Sequence, residues 1–174
     1  MANSSDQSLI DALLNSWERN NTITINLLRA VPDAAMDLKP IDSSPSIAQL
    51  FAHMDYCRLI FVVEDAPEFA REMRNNQWKA ERDRERLEWM FNDSAAAVRE
   101  AVKDRIDTGR AMQRHYDHPL LMLQHFIWHE GYHQGQIKLT LKLAGRPLLD
   151  DDIGLRTWDV WMDKTNSLHG FDAC

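Results

Sequence analysis

His125-Phe126-Ile127-Trp128-His129-Glu130-Gly131-Tyr132-His133-Gln134-Gly135-Gln136 carries three of the chain's seven histidines, at i, i+4 and i+8. In a helix a step of four residues advances only about 40° around the axis, so His125, His129 and His133 fall on one stripe about 80° wide. A row of polar rings along a face that should meet a bundle core is costly unless something pairs them, and a divalent metal does so. Two imidazoles at i and i+4 can direct their nitrogens at one ion about 2.0–2.1 Å away. The outer two are about 12 Å apart in helical rise and cannot both join. One of the three therefore has a different task. The competing reading takes each as a core or interface residue satisfied by an ordinary hydrogen bond.

Leu120, Leu121, Leu123, Phe126, Ile127, Ile137, Leu139, Leu141 and Leu143 surround the stripe, which predicts a central helix from Pro119 to Ala144, stopped by Gly145-Arg146-Pro147. Gly131 and Gly135 each cost such a helix about 1 kcal/mol relative to alanine, so a neighbouring helix or ligand is expected to approach closely there. Three further helices precede it. Leu9, Ile10, Leu13, Leu14, Trp17, Ile23, Leu27 and Leu28 mark the first, capped by Asp6 or Ser8 and ended by Pro32. The strand preference of Thr22-Ile23-Thr24-Ile25 is outweighed by that longer period. A connection with a short helical turn leads to Pro45, and Ser44 or Ser46 caps the second helix, which runs to about Asp65. Residues 68–80, polar and with Asn75-Asn76, form a loop or a frayed helix. The third helix runs from Glu81 to Asp107, closed by Gly109, with either a kink or an unbroken run at Asn92-Asp93-Ser94. After Asp150 to Asp152, the residues Leu155, Trp158, Val160, Trp161 and Met162 predict a short helix or turn packed on the body. The fold class is all-α: a four-helix bundle with a short C-terminal appendage, one domain over residues 1–174.

Composition narrows the function. The 174 residues are 44% hydrophobic and 27% charged, as in an ordinary soluble domain. Lys and Arg number 20 against 27 Asp and Glu, giving a net charge of −7 without a basic tract, which disfavours nucleic acid and anionic membrane surfaces as partners. Cys57 and Cys174 make no disulfide framework, and no stretch resembles a signal peptide or an 18-residue apolar span, so a cytoplasmic protein is expected. The six tryptophans read as core or interface anchors.

Two ligands from one helix need a third from elsewhere. His53 lies near the middle of the second helix, on the side of Leu50, Met54 and Cys57. Cys57, one turn on, is either that ligand or a small buried residue.

His53 within Pro45-Ser46-Ile47-Ala48-Gln49-Leu50-Phe51-Ala52-His53-Met54, followed far downstream by His129 and His133 within Trp128-His129-Glu130-Gly131-Tyr132-His133-Gln134-Gly135-Gln136, resembles the DinB/YfiT family. The resemblance covers nearly the whole chain. It implies a four-helix bundle, often homodimeric, that holds a divalent metal (Zn, Ni or Fe) by one histidine of helix two and two of helix four and leaves positions open. On that basis His53, His129 and His133 are the ligands, and His125 supports or lines the pocket. Gln134 stands where many members have arginine, which removes an anion-binding group from that spot. Trp128, Tyr132 and Gln136 are candidates, with His125, to line a cofactor site.

The resemblance implies two chemistries on a small-molecule substrate: S-transfer with a low-molecular-weight thiol such as mycothiol, bacillithiol or glutathione, or metal-dependent hydrolysis. A non-enzymatic, stress-related, dimeric metal-binding module is the third reading, and would want a fourth protein ligand such as Cys57. His129-Glu130-Gly131-Tyr132-His133 also spells H-E-x-x-H, in which Glu130 would be the general base of a zinc protease. The extended G-x-x-H follow-on is missing and no strand-rich half is present to hold a peptide, so Glu130 reads better as a helix residue paired locally.

Overall fold

The computed structural model describes residues 4–74 and 76–163, and its helices start and stop where caps, prolines and glycines dictate. Helix α1, Ser4–Ala30, is already helical upstream of the expected caps at Asp6 and Ser8. Its buried side includes Leu14, Trp17, Leu27 and Leu28. Thr24 sits within it without breaking it, because its hydroxyl donates to the Asn20 carbonyl one turn back at 3.0 Å. Pro32 ends the helix. A single 3-10 turn, Asp33–Ala35, follows, and Met36 is buried against the bundle.

Helix α2, Ile47–Asp65, begins with a capping box: the Ser46 hydroxyl accepts from the Gln49 amide, and Gln49 Oε1 accepts from the Ser46 amide at 2.8 Å. A 3-10 turn, Pro67–Phe69, opens the connection to helix α3, Arg84–Thr108. Asp83, rather than Glu81, starts α3, because its short carboxylate accepts from the Arg86 amide at 3.0 Å. The run at Asn92-Asp93-Ser94 is absorbed into α3, and Gly109 closes it at φ 68°, the left-handed conformation glycine takes without strain. Helix α4, Pro119–Leu143, has proline in its first turn and His118 as cap, whose Nδ1 accepts from the Leu120 amide at 3.2 Å. Helix α5, Asp150–Ile153, and two 3-10 turns, Gly154–Arg156 and Trp158–Met162, complete the appendage. Asn26 donates to the Arg156 carbonyl at 2.7 Å and Arg19 donates to that of Val160, which ties the appendage to α1.

Helices α3 and α4 each pack against both α1 and α2, so α1 and α2 lie diagonally across the bundle. Among the described residues there is no strand, and no helix is long and apolar enough to cross a membrane. Two sequence expectations change. α4 is a wall of the bundle rather than its centre, since Leu121, Leu139 and Leu143 face water. Gly131 and Gly135 are not contact points within the chain: a Cβ at either would meet nothing within 4 Å.

The core has two apolar layers with a polar one between them. One layer holds Leu27, Leu28, Phe51, Met54, Met90, Phe91, Ile137 and Leu141; the other holds Leu14, Trp17, Val62, Val98, Met122, Leu123 and Phe126. Between them Arg58 of α2 meets Glu130 of α4 through two hydrogen bonds of 2.6 and 2.7 Å, with both side chains fully buried. The Arg58 guanidinium also donates to Asn21 Oδ1 at 2.8 Å and to the Phe91 carbonyl at 3.0 Å, and lies over the rings of Trp17 and Phe91. Glu130 accepts from Asn20 at 2.7 Å, and the Thr24 hydroxyl, 3.3 Å from the same carboxylate, accepts from Gln134. Buried charge is tolerable only when paired and fully hydrogen-bonded, and here all four helices supply partners.

Removing one member strands the other charge. Arg58→Met or Glu130→Leu alone should lower unfolding free energy by about 3–5 kcal/mol in urea titrations, and the double substitution by clearly less than the two single losses together.

Candidate metal centre

The α2–α4 contact that seats Glu130 on Arg58 also brings His53 to His129 and His133. His129 and His133 are one turn apart on α4 and share a side, as their spacing requires. His129 Nε2 lies 3.3 Å from His53 Nε2 and 3.0 Å from His133 Nε2, and the ligand atoms of all three lie within 4.8 Å of one another. Tetrahedral coordination with bonds of 2.0–2.1 Å separates its nitrogens by about 3.3 Å, so these spacings suit one small divalent ion.

Hydrogen bonds fix what the ligand nitrogens present. His133 Nδ1 is 2.7 Å from Gln136 Oε1, an oxygen that can only accept, so the ring proton sits on Nδ1 and Nε2 offers a bare lone pair to its neighbours. Gln136 in turn donates to the Tyr132 hydroxyl at 3.0 Å. His129 Nδ1 is buried without a hydrogen-bond partner. With His133 Nε2 an acceptor, the ring nitrogens at 3.0 and 3.3 Å are joined either by a proton on His129 Nε2 or by a cation among them, and three imidazole donors at these spacings fit a divalent ion.

The electrostatics agree. Burial, then the neighbouring His133, holds His53 down to about 4. Burial, followed by the charges that His133 and His53 would carry, takes His129 down to about 3. His133 is lowered mainly by burial, which outweighs the opposing effects of Gln136 and Glu130. All three are therefore neutral near pH 7, the form that binds metal.

His125 stands one turn outside the cluster, as the 12 Å separation demands. Its Nδ1 is 2.8 Å from the Tyr116 hydroxyl and its ring is 6.0 Å from that of His129. Burial raises the Tyr116 phenol far above its ordinary value, so it stays protonated beside that ring. Cys57 Sγ lies against the His53 ring, 3.6 Å from Nε2 and 3.7 Å from Nδ1, outside the three-histidine group. Burial pushes its thiol up to about 12, which keeps it protonated. Glu130 is not placed as a general base, since both its oxygens are held by Arg58; its pairing is not local either, reaching 72 residues along the chain. Tyr132 and Gln136 join the site through His133, whereas Trp128 is exposed and stacks on Tyr132 at 6.2 Å.

Four contributors were not legible in the sequence. Trp78, in the polar connection before α3, stacks face to face on His53 with centroids 4.1 Å apart and planes 6° from parallel. The Gln77 backbone hydrogen-bonds His53, and Gln49 holds the loop through the Trp78 carbonyl at 2.8 Å. A tryptophan outside any periodic run carries no local sign of where it will pack. Tyr116 likewise lies in an irregular connection.

The model of the DinB family matches residues 1–160 of this chain. No curated protein and no solved structure matches it.

Gln136 orients a ligand, so Gln136→Leu should weaken zinc binding about 10- to 100-fold in competition with a chelating dye; unchanged affinity would remove it from the site. The imidazole pKa values are lower in the folded state than the unfolded value near 6.5, so the unfolded chain takes up protons first. Metal-free protein should keep the full contribution of these groups above pH 6.5 and lose it as pH falls toward about 4 for His53 and about 3 for His129. Urea midpoints across that window should fall less steeply for His53→Gln than for the parent chain.

Proposed function

The chain belongs to the DinB family, and on that premise we propose that it is a metal-dependent, cytoplasmic enzyme that transfers a low-molecular-weight thiol to a small electrophile. The observation that carries this reading is the count of ligands. The metal-competent group among the described residues consists of His53, His129 and His133 alone. Structural zinc sites are normally closed by four protein ligands, whereas three ligands leave a position for an exogenous group. Cys57, whose participation would favour a structural module, lies against the His53 ring but is not among the three residues whose ligand atoms converge. The ion's identity, Zn, Ni or Fe, is set by availability as much as by three imidazoles.

A divalent ion held there would lower the pKa of a thiol or water reaching its open position. The chain's own residues do the rest. Gln136 of α4 holds His133, and Trp78 of the connection before α3 holds His53. The Tyr116 hydroxyl holds His125 by Nδ1, which leaves Nε2, on a ring 6.0 Å from that of His129, as the nitrogen that can serve a leaving group. A cavity of about 350 Å³, lined by Tyr56, Ile60, Met73, Arg74, Asn76 and Lys79, gives room for a small molecule. Tyr56 and Ile60 lie three and seven residues past His53 and so share its side of α2. Glu130, committed to Arg58, gives the protease reading no base.

The test is consumption of glutathione, bacillithiol or mycothiol by an aromatic electrophile, with zinc-, nickel- or iron-loaded protein beside His53→Ala. Thiol consumption at least about tenfold above the His53→Ala background is expected, as loss of a metal ligand should remove the activation. Ester or amide hydrolysis without thiol transfer would replace this reading with the hydrolase, and neither activity would leave a metal-binding module.

A further inference from the structure

Gly131 has no packing reason within the chain: a Cβ there would meet nothing within 4 Å, yet glycine inside a helix costs about 1 kcal/mol relative to alanine. The missing side chain opens a cleft of about 210 Å³ between α1, α4 and the appendage. Ile127, Gly131, Gln134 and Lys138 line it from α4, within about 60° of arc, and Asn20, Ile23 and Leu27 line it from α1 within a similar arc. Trp158 and Trp161 flank it from the appendage and remain 49% and 42% exposed. The appendage is held in place there. Asn26 and Arg19 tie its carbonyls to α1, and Lys138 pairs with Asp150 at 3.3 Å. Gly154 lets the Trp158 ring lie so close that a Cβ would come 3.2 Å from its Nε1.

Two amides give the cleft its polarity. Asn20 is only 3% exposed, and its Nδ2 faces Glu130 at 2.7 Å, because a carboxylate can only accept. Thr24 donates its one hydroxyl proton to the Asn20 carbonyl, so it accepts from Gln134 Nε2 at 2.9 Å. Each amide therefore has its nitrogen anchored in the bundle and its oxygen left for the cleft, and no donor among the described residues is paired with either oxygen. Buried carbonyl oxygens normally have a donor. The two anchors, Glu130 Oε2 and Thr24 Oγ1, are 3.3 Å apart, so one small molecule can reach both amides.

We propose that this cleft binds a neutral, flat heteroaromatic molecule of one or two rings that carries N–H donors. Flatness follows from the two indoles, which pair well with another ring. The N–H donors follow from the two acceptor oxygens, which repel a carboxylate or phosphate, while Lys138, one turn beyond Gln134, opposes a cation. Size follows from the volume, the share of about seven waters at ~30 Å³ each, which is below that of a drug-sized ligand. The lining residues of α4 lie about 150° around the helix from His129 and His133, so the site does not rest on the metal reading.

Adenine, neutral and flat with an amino group and a ring N–H, is a suitable probe. It is titrated into metal-free, full-length protein and followed by the indole signals of a proton–nitrogen correlation spectrum. Saturable one-to-one binding with Kd of about 1 mM or tighter is expected, with the largest indole shifts at the signals that Trp158→Phe and Trp161→Phe remove. 6-Dimethylamino-9-methylpurine, which keeps the shape and lacks N–H donors, should bind at least about tenfold more weakly, as should benzoate. Gly131→Leu fills the cleft with a better helix former and should abolish saturation with unchanged helical circular dichroism. Gln134→Leu, which removes one acceptor, should weaken adenine about tenfold. No saturable binding, equal binding of the donor-free purine, tighter binding of benzoate, or binding that survives Gly131→Leu would overturn the proposal.

Discussion

A guanidinium and a carboxylate that are both out of reach of water set the register of this bundle. Arg58 and Glu130 can be buried only if their two parallel hydrogen bonds form, and those bonds fix α2 against α4 in height and rotation at once. His53 lies five residues before Arg58, and His129 and His133 lie one residue before and three after Glu130. The register that satisfies the ion pair is therefore the register that brings three Nε2 atoms together. A one-turn slip of α4 would move the histidines by about 5.4 Å, further than any metal–nitrogen bond could follow. On this account the ion pair matters less for net stability than for specifying which of several similar helix packings is adopted.

The same geometry separates this site from the protease pattern its sequence spells. His129, Glu130 and His133 sit at fixed angles on one helix, and consecutive residues differ by about 100°. With both histidines turned toward His53, Glu130 is carried into the polar layer between two apolar ones. Chemistry here follows from where the carboxylate is held, and it is held by an arginine rather than over a reacting water. His53, His129 and His133, neutral near pH 7, form the group that could hold a metal.

Much of this was written locally. Apolar periodicity, Pro32 and Pro67, the Ser46 capping box and Gly109 place the four helices, and the i, i+4 spacing places the histidine pair on one side of α4. What stayed hidden depends on pairings across the chain. Arg58, inside an apolar run, looks like a rim residue until Glu130 arrives from 72 positions away. Trp78 has no periodic neighbours to announce that it will cover His53. Surrounding leucines made α4 read as central, because periodicity tells that a side is apolar and not what lies against it; Leu121, Leu139 and Leu143 face outward. Gly131 and Gly135 misled in the same way, since the close approach they invite is not made within one chain.

The central claim is that one metal ion is held between α2 and α4 by three histidines and no thiolate. Elemental analysis of tag-free protein after dialysis against zinc, run beside His53→Ala and Cys57→Ala, tests it most directly. The account predicts about one ion per chain in the parent and in Cys57→Ala, and loss of that ion in His53→Ala. Zinc retained by His53→Ala, or lost on removing Cys57 alone, would contradict it.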